Sequence, residues 1–299
     1  MLSPNLAPVP WQRFMDFISP DADRLTILKE TLKEAGLEYK VTEIAGCRHL
    51  VIASPSPPDQ LKAAGRLSPV ILIAHYDRAK GSPGANDNSA GVFLLIETAI
   101  KLMKKNKTNW LIIFTDREEL KTGDKIKAQG AYALAQGLKN VKMEKARVFI
   151  FDACGTGDTL IVSTTLESLL KKEGFGEKLK DSMLELRKFA LDTARNLNMA
   201  KVLLAPAPFS DDAGFFRAGL IAQTITMLPS SECIRLVADL RKNPGLAEAF
   251  VNAEIRQANR SMTIPDTWRG LNSPIDSHLR LTPEHFRTVV RFAEALCSG

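Results

Sequence analysis

The sequence contains few cysteines and no long apolar run. Its four cysteines lie far apart and form no CxxC pair: Cys47, Cys154, Cys233 and Cys297. This spacing excludes a disulfide framework and a thiolate zinc site, and unpaired thiols are typical of a reducing compartment, which predicts a cytoplasmic protein. No stretch approaches the length of a membrane span, and the first residues lack the basic and apolar regions of a signal peptide. We therefore expect no membrane partner.

The sequence also lacks a strong excess of charge of either sign. Its 40 basic and 34 acidic residues give a formal net charge of +6 over 299 residues. The densest basic cluster consists of Lys101, Lys104, Lys105 and Lys107, and no aromatic platform or nucleic-acid-binding motif accompanies it. We interpret it as the solvated carboxyl end of a helix, where cations suit the helix dipole, and expect no nucleic-acid partner.

Three short apolar runs end in acids or in a histidine. His75 closes the first run, Glu118 and Glu119 follow the second, and Asp152 closes the third. Such β-branched and aromatic runs are typical of buried strands, and the helix-like segments between them predict parallel strands. Because ligands bind outside the carboxyl ends of parallel strands, we expect these side chains at one edge of one sheet. Several carboxylates there would repel one another unless a cation shares the space, so the pattern indicates a metal site.

The rest of the sequence suggests one structural unit. It contains no internal repeat, no low-complexity tract and no clear linker, so we expect a single domain over residues 1–299. Residues 38–44 and 49–53 predict two antiparallel strands at a sheet edge, followed by a proline-rich loop over residues 54–67.

Three predicted helices have recognisable boundaries. One runs from Ser89 to about Lys105, with Asn88 or Ser89 as its cap. Another covers residues 246–259. The last helix of the chain begins at Thr282, which we expect to cap it.

Two more carboxylates accompany the first strand. Asp77 follows His75 by two residues, a spacing at which a ligating histidine can donate its second ring N–H and so have its tautomer fixed. Asp87 lies in the loop Gly84 to Gly91, where glycine and small residues allow sharp turns that point it back at the strand ends. Chance explains the first motif equally well when it is taken alone, and a plain turn with a helix cap explains the second.

The adjacent acids Glu118 and Glu119 suggest a division of labour. Two neighbouring carboxylates after a buried strand cannot both ionise easily in a low dielectric. If Glu119 binds a metal, Glu118 can act as general base towards water whose pKa the cation has lowered to roughly 7. A solvated turn is the alternative for this pair, and a loop anchor is the alternative for Asp152. If all four motifs had only these structural explanations, four independent coincidences would have to occur in the right order along the chain.

With these motifs, the chain resembles the zinc-dependent exopeptidases of the bacterial leucyl aminopeptidase type. That family also includes carboxypeptidase-like members and the glutaminyl cyclases. The resemblance covers about residues 69–296 and is carried by Ala74–Asp77, Gly84–Gly91, Glu118-Glu119, Gly130–Ala133, Asp152 and Phe209–Asp211. It implies an α/β fold with a mixed, mostly parallel central sheet flanked by helices on both faces.

The resemblance also implies a set of zinc ligands. His75 and Asp152 would hold one zinc ion, Asp87 would bridge two, and Glu119 would help to hold the second. The family's bridging aspartate often precedes a cis non-proline peptide bond, which implies one between Asp87 and Asn88.

Two residues are predicted to be catalytic, Glu118 by the same resemblance and Asp77 by its spacing from His75. Glu118 would be the general base. Asp77 belongs with it because it would orient the ligating imidazole. The implied cofactor is zinc, with one or two ions per chain.

The chain departs from the family where the last zinc ligand, a late histidine, is expected. The best match is Leu271–Ser277, which puts Asn272 at that position. An amide oxygen is a poor zinc ligand beside imidazole. Three explanations remain open: Asn272 ligates weakly, His278 swings in from six residues further on, or the second zinc is missing or replaced by a harder ion.

These observations favour a zinc-dependent aminopeptidase or related exopeptidase acting on a peptide or aminoacyl substrate. Asn272 motivates a second hypothesis, a catalytically degenerate member that binds a peptide or an amino acid. A third is a cyclase acting on amino-terminal glutamine. The cyclase is disfavoured because glutaminyl cyclases keep the late histidine, whereas this chain keeps His75 with Asp152. The sequence leaves the substrate side chain and the oligomeric state open.

Overall fold

Eight strands form one sheet in the computed structural model, which describes residues 8–55, 68–121, 123–173, 176–243, 245–250 and 264–298. The strands are β1 (Lys40–Ile44), β2 (Cys47–Ala53), β3 (Val70–His75), β4 (Trp110–Thr115), β5 (Arg147–Phe151), β6 (Thr159–Ser163), β7 (Val202–Ala205) and β8 (Ala222–Leu228). Their spatial order is β1-β2-β4-β3-β5-β8-β6-β7. The four central strands, β4, β3, β5 and β8, run parallel. The predicted β1–β2 pair is antiparallel, with β1 at one edge.

Eleven α-helices lie in the part of the chain that the structure describes. They are α1 (Trp11–Phe17), α2 (Arg24–Glu34), α3 (Gly91–Lys104), α4 (Gly130–Asn140), α5 (Thr165–Glu173), α6 (Glu177–Asn196), α7 (Asp211–Arg217), α8 (Ser230–Lys242), α9 (Leu246–Ala249), α10 (Asp266–Arg269) and α11 (Phe286–Leu296). Helices α3 and α4 connect successive parallel strands, as a parallel arrangement requires.

Alternate residues of the central strands pack against helices on opposite faces of the sheet. Leu72 and Ala74 of β3 belong to a core with α2, α3, α6 and α11. Ile71 and Ile73 of the same strand pack with α4 and α7 on the other face. The predicted fold class, a mixed and mostly parallel sheet with helices on both faces, is therefore confirmed.

The sheet order brings the functional candidates to one edge. Strand β3 lies between β4 and β5, and His75 at its end is in register with Thr115 at the end of β4. Glu118 and Glu119 follow β4 by a few residues, and Asp152 directly follows β5. Parallel strands thus deliver all of these side chains to the same edge, as the sequence predicted.

Three expectations about helices need correction or restriction. Neither Asn88 nor Ser89 caps a helix, because the Asn88 amide donates to the Phe151 carbonyl at 2.8 Å and the Ser89 hydroxyl donates to the Gly84 carbonyl at 2.5 Å. Thr282 does not cap the last helix either; its hydroxyl accepts a hydrogen bond from the Gly157 N–H at 2.8 Å.

Of the helix predicted over residues 246–259, only 246–249 is observed as helix, and residues 251–259 lie outside the described residues. Most of the predicted loop over 54–67 also lies outside them.

Long apolar helices are absent from the described part of the chain. No helix there combines the length and the apolar character that a membrane span needs.

His49, in β2, supplies a prediction about stability. Its side chain is fully buried, Nδ1 accepts a hydrogen bond from the Asp116 N–H at 3.4 Å, and Nε2 has no hydrogen-bond partner among the described residues. Burial lowers the pKa of His49 from 6.5 to about 4. The unfolded chain therefore takes up a proton at higher pH than the folded one. The contribution of neutral His49 to the free energy of unfolding is thus fully present above pH 6.5 and is lost as the pH falls towards 4. At pH 5 the loss amounts to about 2 kcal/mol relative to pH 7.

Urea unfolding at pH 7 and at pH 5 measures this effect. The His49→Phe variant keeps a buried ring that cannot titrate, so its free energy of unfolding should change less between the two pH values than that of the wild type. Equal changes in both proteins would show that His49 is not the group responsible.

Candidate metal centre

His75 lies among three carboxylates. It is the last residue of β3 and is fully buried. Its Nε2 atom is 3.1 Å from Asp87 Oδ1 and 3.6 Å from Asp152 Oδ1, and its Nδ1 atom is 3.5 Å from Asp77 Oδ1. Burial alone disfavours the protonated imidazole, but the three carboxylates outweigh it and raise the pKa of His75 well above its ordinary value. One ring nitrogen thus faces two potential ligands, and the other faces an orienting acid.

Asp77 joins His75 to the acidic pair. Its Oδ1 accepts a hydrogen bond from the Glu118 backbone N–H at 3.1 Å, and its Oδ2 accepts one from the Glu119 N–H at 3.0 Å. Burial favours the neutral acid, but the His75 imidazole and these two donors hold the pKa of Asp77 below its ordinary value. One ionised carboxylate therefore fixes the position of the acidic loop relative to the imidazole.

A kinked turn, Ala85–Ala90, presents Asp87 to the site, with non-helical backbone angles at Asp87 and Asn88. The peptide bond between Asp87 and Asn88 is cis, as the family resemblance implies. The backbone N–H groups of Asn86 and Asp87 donate to the two carboxylate oxygens of Asp276, at 2.8 and 3.0 Å. A residue almost 190 positions later in the chain thus anchors this turn.

Two glycines allow the same turn to pack closely. Gly84 has a φ of +62°, and a Cβ atom there would lie 2.7 Å from the Asp87 carbonyl oxygen. A Cβ atom on Gly91 would lie 2.7 Å from the Phe151 carbonyl oxygen. Both distances are too short for any other residue, so the glycines permit Asp87 to approach β3 and β5.

Glu118 is held by Gln129, the buried residue that precedes α4. The Gln129 side-chain N–H donates to Glu118 Oε1 at 3.1 Å. Burial raises the pKa of Glu118 well above its ordinary value, and the Asp152 and Glu119 carboxylates act in the same direction. A carboxylate with raised proton affinity and a fixed orientation suits a group that accepts a proton and later returns it.

Asn272 lies beside the second part of the site. Its backbone φ is +59°. With the nitrogen turned towards the carboxylates, the side-chain amide lies 3.2 Å from Asp87 Oδ2 and 3.1 Å from Glu119 Oε2. His278, the alternative late ligand, belongs to a short 3-10 turn and is not part of the group that could hold a metal among the described residues.

The residues at this edge fit a metal ion. His75, Asp87 and Asp152 offer donor atoms that all lie within 4.8 Å of one another. Both ring nitrogens of His75 and Oδ1 of Asp152 are buried and make no hydrogen bond in the described structure. An imidazole and carboxylates are ligands that zinc prefers, and a bound cation would satisfy Nε2 of His75 and Oδ1 of Asp152, while Nδ1 of His75 faces Asp77.

Crowding of acids supports the same conclusion. Burial is the main cause that raises the pKa of Glu119 to about 8, of Asp211 to about 7 and of Asp276 to about 6. Other carboxylates nearby add to each shift. A divalent cation would offset the repulsion and allow these groups to ionise together.

A cavity of about 510 Å³ opens onto Asp87, Glu118, Glu119 and Asp152. Its polar wall contains carboxylates of the site and Gln129, and its apolar wall is formed by Leu120, Ile126, Pro208, Phe209, Phe250, Ile264, Trp268 and Leu271. The cavity is large enough for a small ligand, with chemistry on one side and an apolar surface on the other.

The structure brings together every residue that the sequence singled out as metal-binding or catalytic: His75, Asp77, Asp87, Glu118, Glu119, Asp152 and Asn272. Their roles remain predictions.

Sequence reasoning missed three residues that hold the site: Arg24, Gln129 and Asp276. Gln129 directly precedes the family-like segment Gly130–Ala133, and Asp276 lies in the late segment that contains Asn272, so position in a motif was a signal for both. Arg24 had no signal, because it lies in an amphipathic helix far from every motif.

Comparison with known proteins places the chain among peptidases. The sequence model of peptidase family M28 matches residues 60–236, more than half of the chain. No curated protein sequence matches it.

Solved structures share the fold. A glutaminyl cyclase from Porphyromonas gingivalis has a TM-score of 0.61 and 17% identity, with 96% of this chain and 94% of that one covered. The LapA aminopeptidase of Legionella pneumophila has a TM-score of 0.60 and 16% identity, with 96% and 69% covered. BSAP, a zinc aminopeptidase from Bacillus subtilis, has a TM-score of 0.53 and 18% identity, with 83% and 49% covered. The chain therefore spans about half the length of BSAP, and at these identities the likeness is one of fold.

Proposed function

The chain belongs to peptidase family M28, and on that premise we propose that it is a zinc-dependent aminopeptidase or related exopeptidase. The observation that carries the proposal is the convergence of His75, Asp87 and Asp152 on one point, with Glu118 lining the same cavity. Peptides or aminoacyl compounds are the proposed substrates. All four cysteines are unpaired thiols, which are typical of a reducing compartment and support a cytoplasmic location.

Zinc would be held by His75, Asp87 and Asp152, with Glu119 and Asn272 beside Asp87 as the weaker half of the centre. Bound zinc supplies a Lewis acid that polarises a scissile carbonyl and lowers the pKa of water to about 7. Asp77 would keep the Nδ1 proton on His75, which leaves Nε2 as the coordinating atom.

Glu118 would move the proton. As a carboxylate, it accepts a proton from the attacking water, and it then returns that proton to the leaving amine. The hydrogen bond from Gln129 would hold one oxygen of Glu118 in place while the other oxygen takes the proton. The apolar wall of the cavity would receive a substrate side chain while the carboxylates face the scissile bond.

A substrate screen with defined metals tests this proposal. The metal-free protein is incubated with aminoacyl anilides and short peptides after the addition of zinc, manganese or cobalt. We expect hydrolysis that chelation abolishes and zinc restores. Silence with every metal, in protein that demonstrably binds zinc, would instead support a degenerate member that binds a peptide or an amino acid, the alternative that Asn272 motivates.

A glutaminyl cyclase is the second candidate. It is retained because the motifs of the chain resemble a family that includes the glutaminyl cyclases, and the Porphyromonas gingivalis cyclase shares the fold. Ammonia release from peptides with amino-terminal glutamine, without cleavage of other peptides, would favour this candidate over the exopeptidase.

A further inference from the structure

Arg24, in the first turn of α2, is a buried cation with an unusually full set of partners. Only 6% of its surface is exposed. Its guanidinium donates to the carbonyls of Phe17, Tyr76, Asp77 and Gly84 at 3.2, 3.0, 2.7 and 3.1 Å, and also to the hydroxyl of Ser89. The group also stacks over the Phe17 ring, 4.3 Å from its centre. The planar guanidinium thus donates hydrogen bonds to several chain segments at once.

Two of these segments carry the residues of the proposed metal centre. Tyr76 and Asp77 directly follow His75. Hydrogen bonds to their carbonyls therefore restrain the backbone that carries the ligating imidazole and its orienting acid. Gly84 and Ser89 lie on either side of Asp87. The guanidinium therefore cross-links the end of β3 to the turn that presents Asp87.

The charge of Arg24 also suits this place. Burial lowers the pKa of Arg24 to about 9, and the carboxylates of Asp77, Asp87 and Asp276 oppose that shift. The side chain remains a cation at neutral pH, close to a site crowded with acids.

We propose that Arg24 is a positioning residue for the metal centre: it fixes the distance between His75 and Asp87, two ligands on separate segments, without touching metal or substrate. This inference rests on the proposed function, because it presumes that these two residues bind zinc. The expected consequence is a loss of metal affinity in protein that is still folded. Removal of a residue that orients ligands in this way costs about 10- to 100-fold in metal affinity.

Arg78 provides a matched control. It ties the same amino-terminal region to the same loop, since it donates to the carbonyls of Ile18, Ser19 and Pro20 and to that of Pro83. Among the described residues, its side chain makes no hydrogen bond to His75, Tyr76 or Asp77 or to the turn Ala85–Ala90. A purely structural role for the two arginines would make their loss equivalent.

The experiment measures the zinc dissociation constant by competition with a chelator, together with the melting temperature of the metal-free protein. The variants are Arg24→Met, Arg24→Lys and Arg78→Met, all assayed well below their melting temperatures. We expect Arg24→Met to weaken zinc binding by about 10- to 100-fold and Arg24→Lys by less, because lysine keeps the charge but not the fork. Arg78→Met should lower the melting temperature and leave the dissociation constant unchanged.

Several outcomes would overturn the inference. Wild-type zinc affinity in a folded Arg24 variant would refute the positioning role and leave the proposed function intact. Equal weakening by Arg78→Met would assign the effect to general loosening of the amino-terminal region. Absence of zinc binding by the wild type would overturn the proposed function and this role together. If Arg24→Met does not fold, Arg24→Lys decides the question, because it retains the buried charge.

Discussion

Replacing Glu118 with glutamine should reduce turnover by about 10²- to 10⁴-fold, the contribution that a positioned general base makes. The amide keeps the size and the polarity of the side chain but cannot accept a proton from water. Zinc content should stay at the wild-type level, because Glu118 is not among the residues whose donor atoms surround the metal-binding point. Steady-state kinetics on the best substrate, with zinc measured on the same preparation, gives both quantities.

Glu119→Gln is the matched control for this prediction. It makes the same chemical change one residue later, on a side chain that faces Asp87 and Asn272. We expect it to lower affinity for a second ion and to leave the proton acceptor in place. Wild-type turnover in Glu118→Gln would refute the assignment of the base, and lost zinc in that variant would make Glu118 a ligand.

Asn272→His should raise the zinc content from one ion per chain to two. In the wild type, the Asn272 side chain lies beside Asp87 Oδ2 and Glu119 Oε2, so the position is correct for a ligand, but the N–H group that faces these carboxylates donates hydrogen bonds and an amide oxygen is a poor zinc ligand. An imidazole there would complete a set of one nitrogen and two carboxylates. Histidine also tolerates the left-handed backbone at this position better than most residues do, so the substitution is compatible with the φ of +59°.

Metal analysis after dialysis against zinc, and separately against manganese, measures the change. Asn272→Ala is the control, because it removes the amide without supplying a ligand and should keep one zinc. Two zinc ions in the wild type would show that the amide already suffices. A single zinc in Asn272→His would show that this half of the site does not bind zinc. Manganese bound next to zinc in the wild type would identify a harder ion at the oxygen ligands.

Much of the site was predictable because its ligands follow strands that the sequence reveals. His75, Asp152 and the acidic pair each come after a continuous apolar run, and parallel strands must present their carboxyl ends at one edge. The position of Asp87 required the family resemblance, since a glycine-rich turn is equally well explained as a helix cap. The cap prediction failed for that reason: Asn88 uses its amide on the Phe151 carbonyl, a contact between distant segments that local sequence cannot reveal.

The residues that hold the ligands were much harder to predict. Arg24 and Asp276 act on backbone groups of segments that are 52 to 190 residues away. Every residue type except proline offers the same backbone carbonyl and N–H group. The sequence pattern therefore does not indicate which residues make these contacts. Gln129 differs because it lies beside a recognisable segment, although its contact with Glu118 could only be seen in three dimensions.

The anchoring of Asp87 by Asp276 has a consequence for the order in which the protein matures. Synthesis proceeds from the amino terminus, and domains tend to fold as units. While the chain is still being made on the ribosome, β3 to β5 are complete long before residue 276 has been added. The backbone N–H groups of the turn that presents Asp87 therefore lack the Asp276 carboxylate that accepts their hydrogen bonds until residue 276 has emerged. Loading of the metal centre would then wait for the segment that contains Asp276, which keeps the shorter nascent chain inactive towards its neighbours.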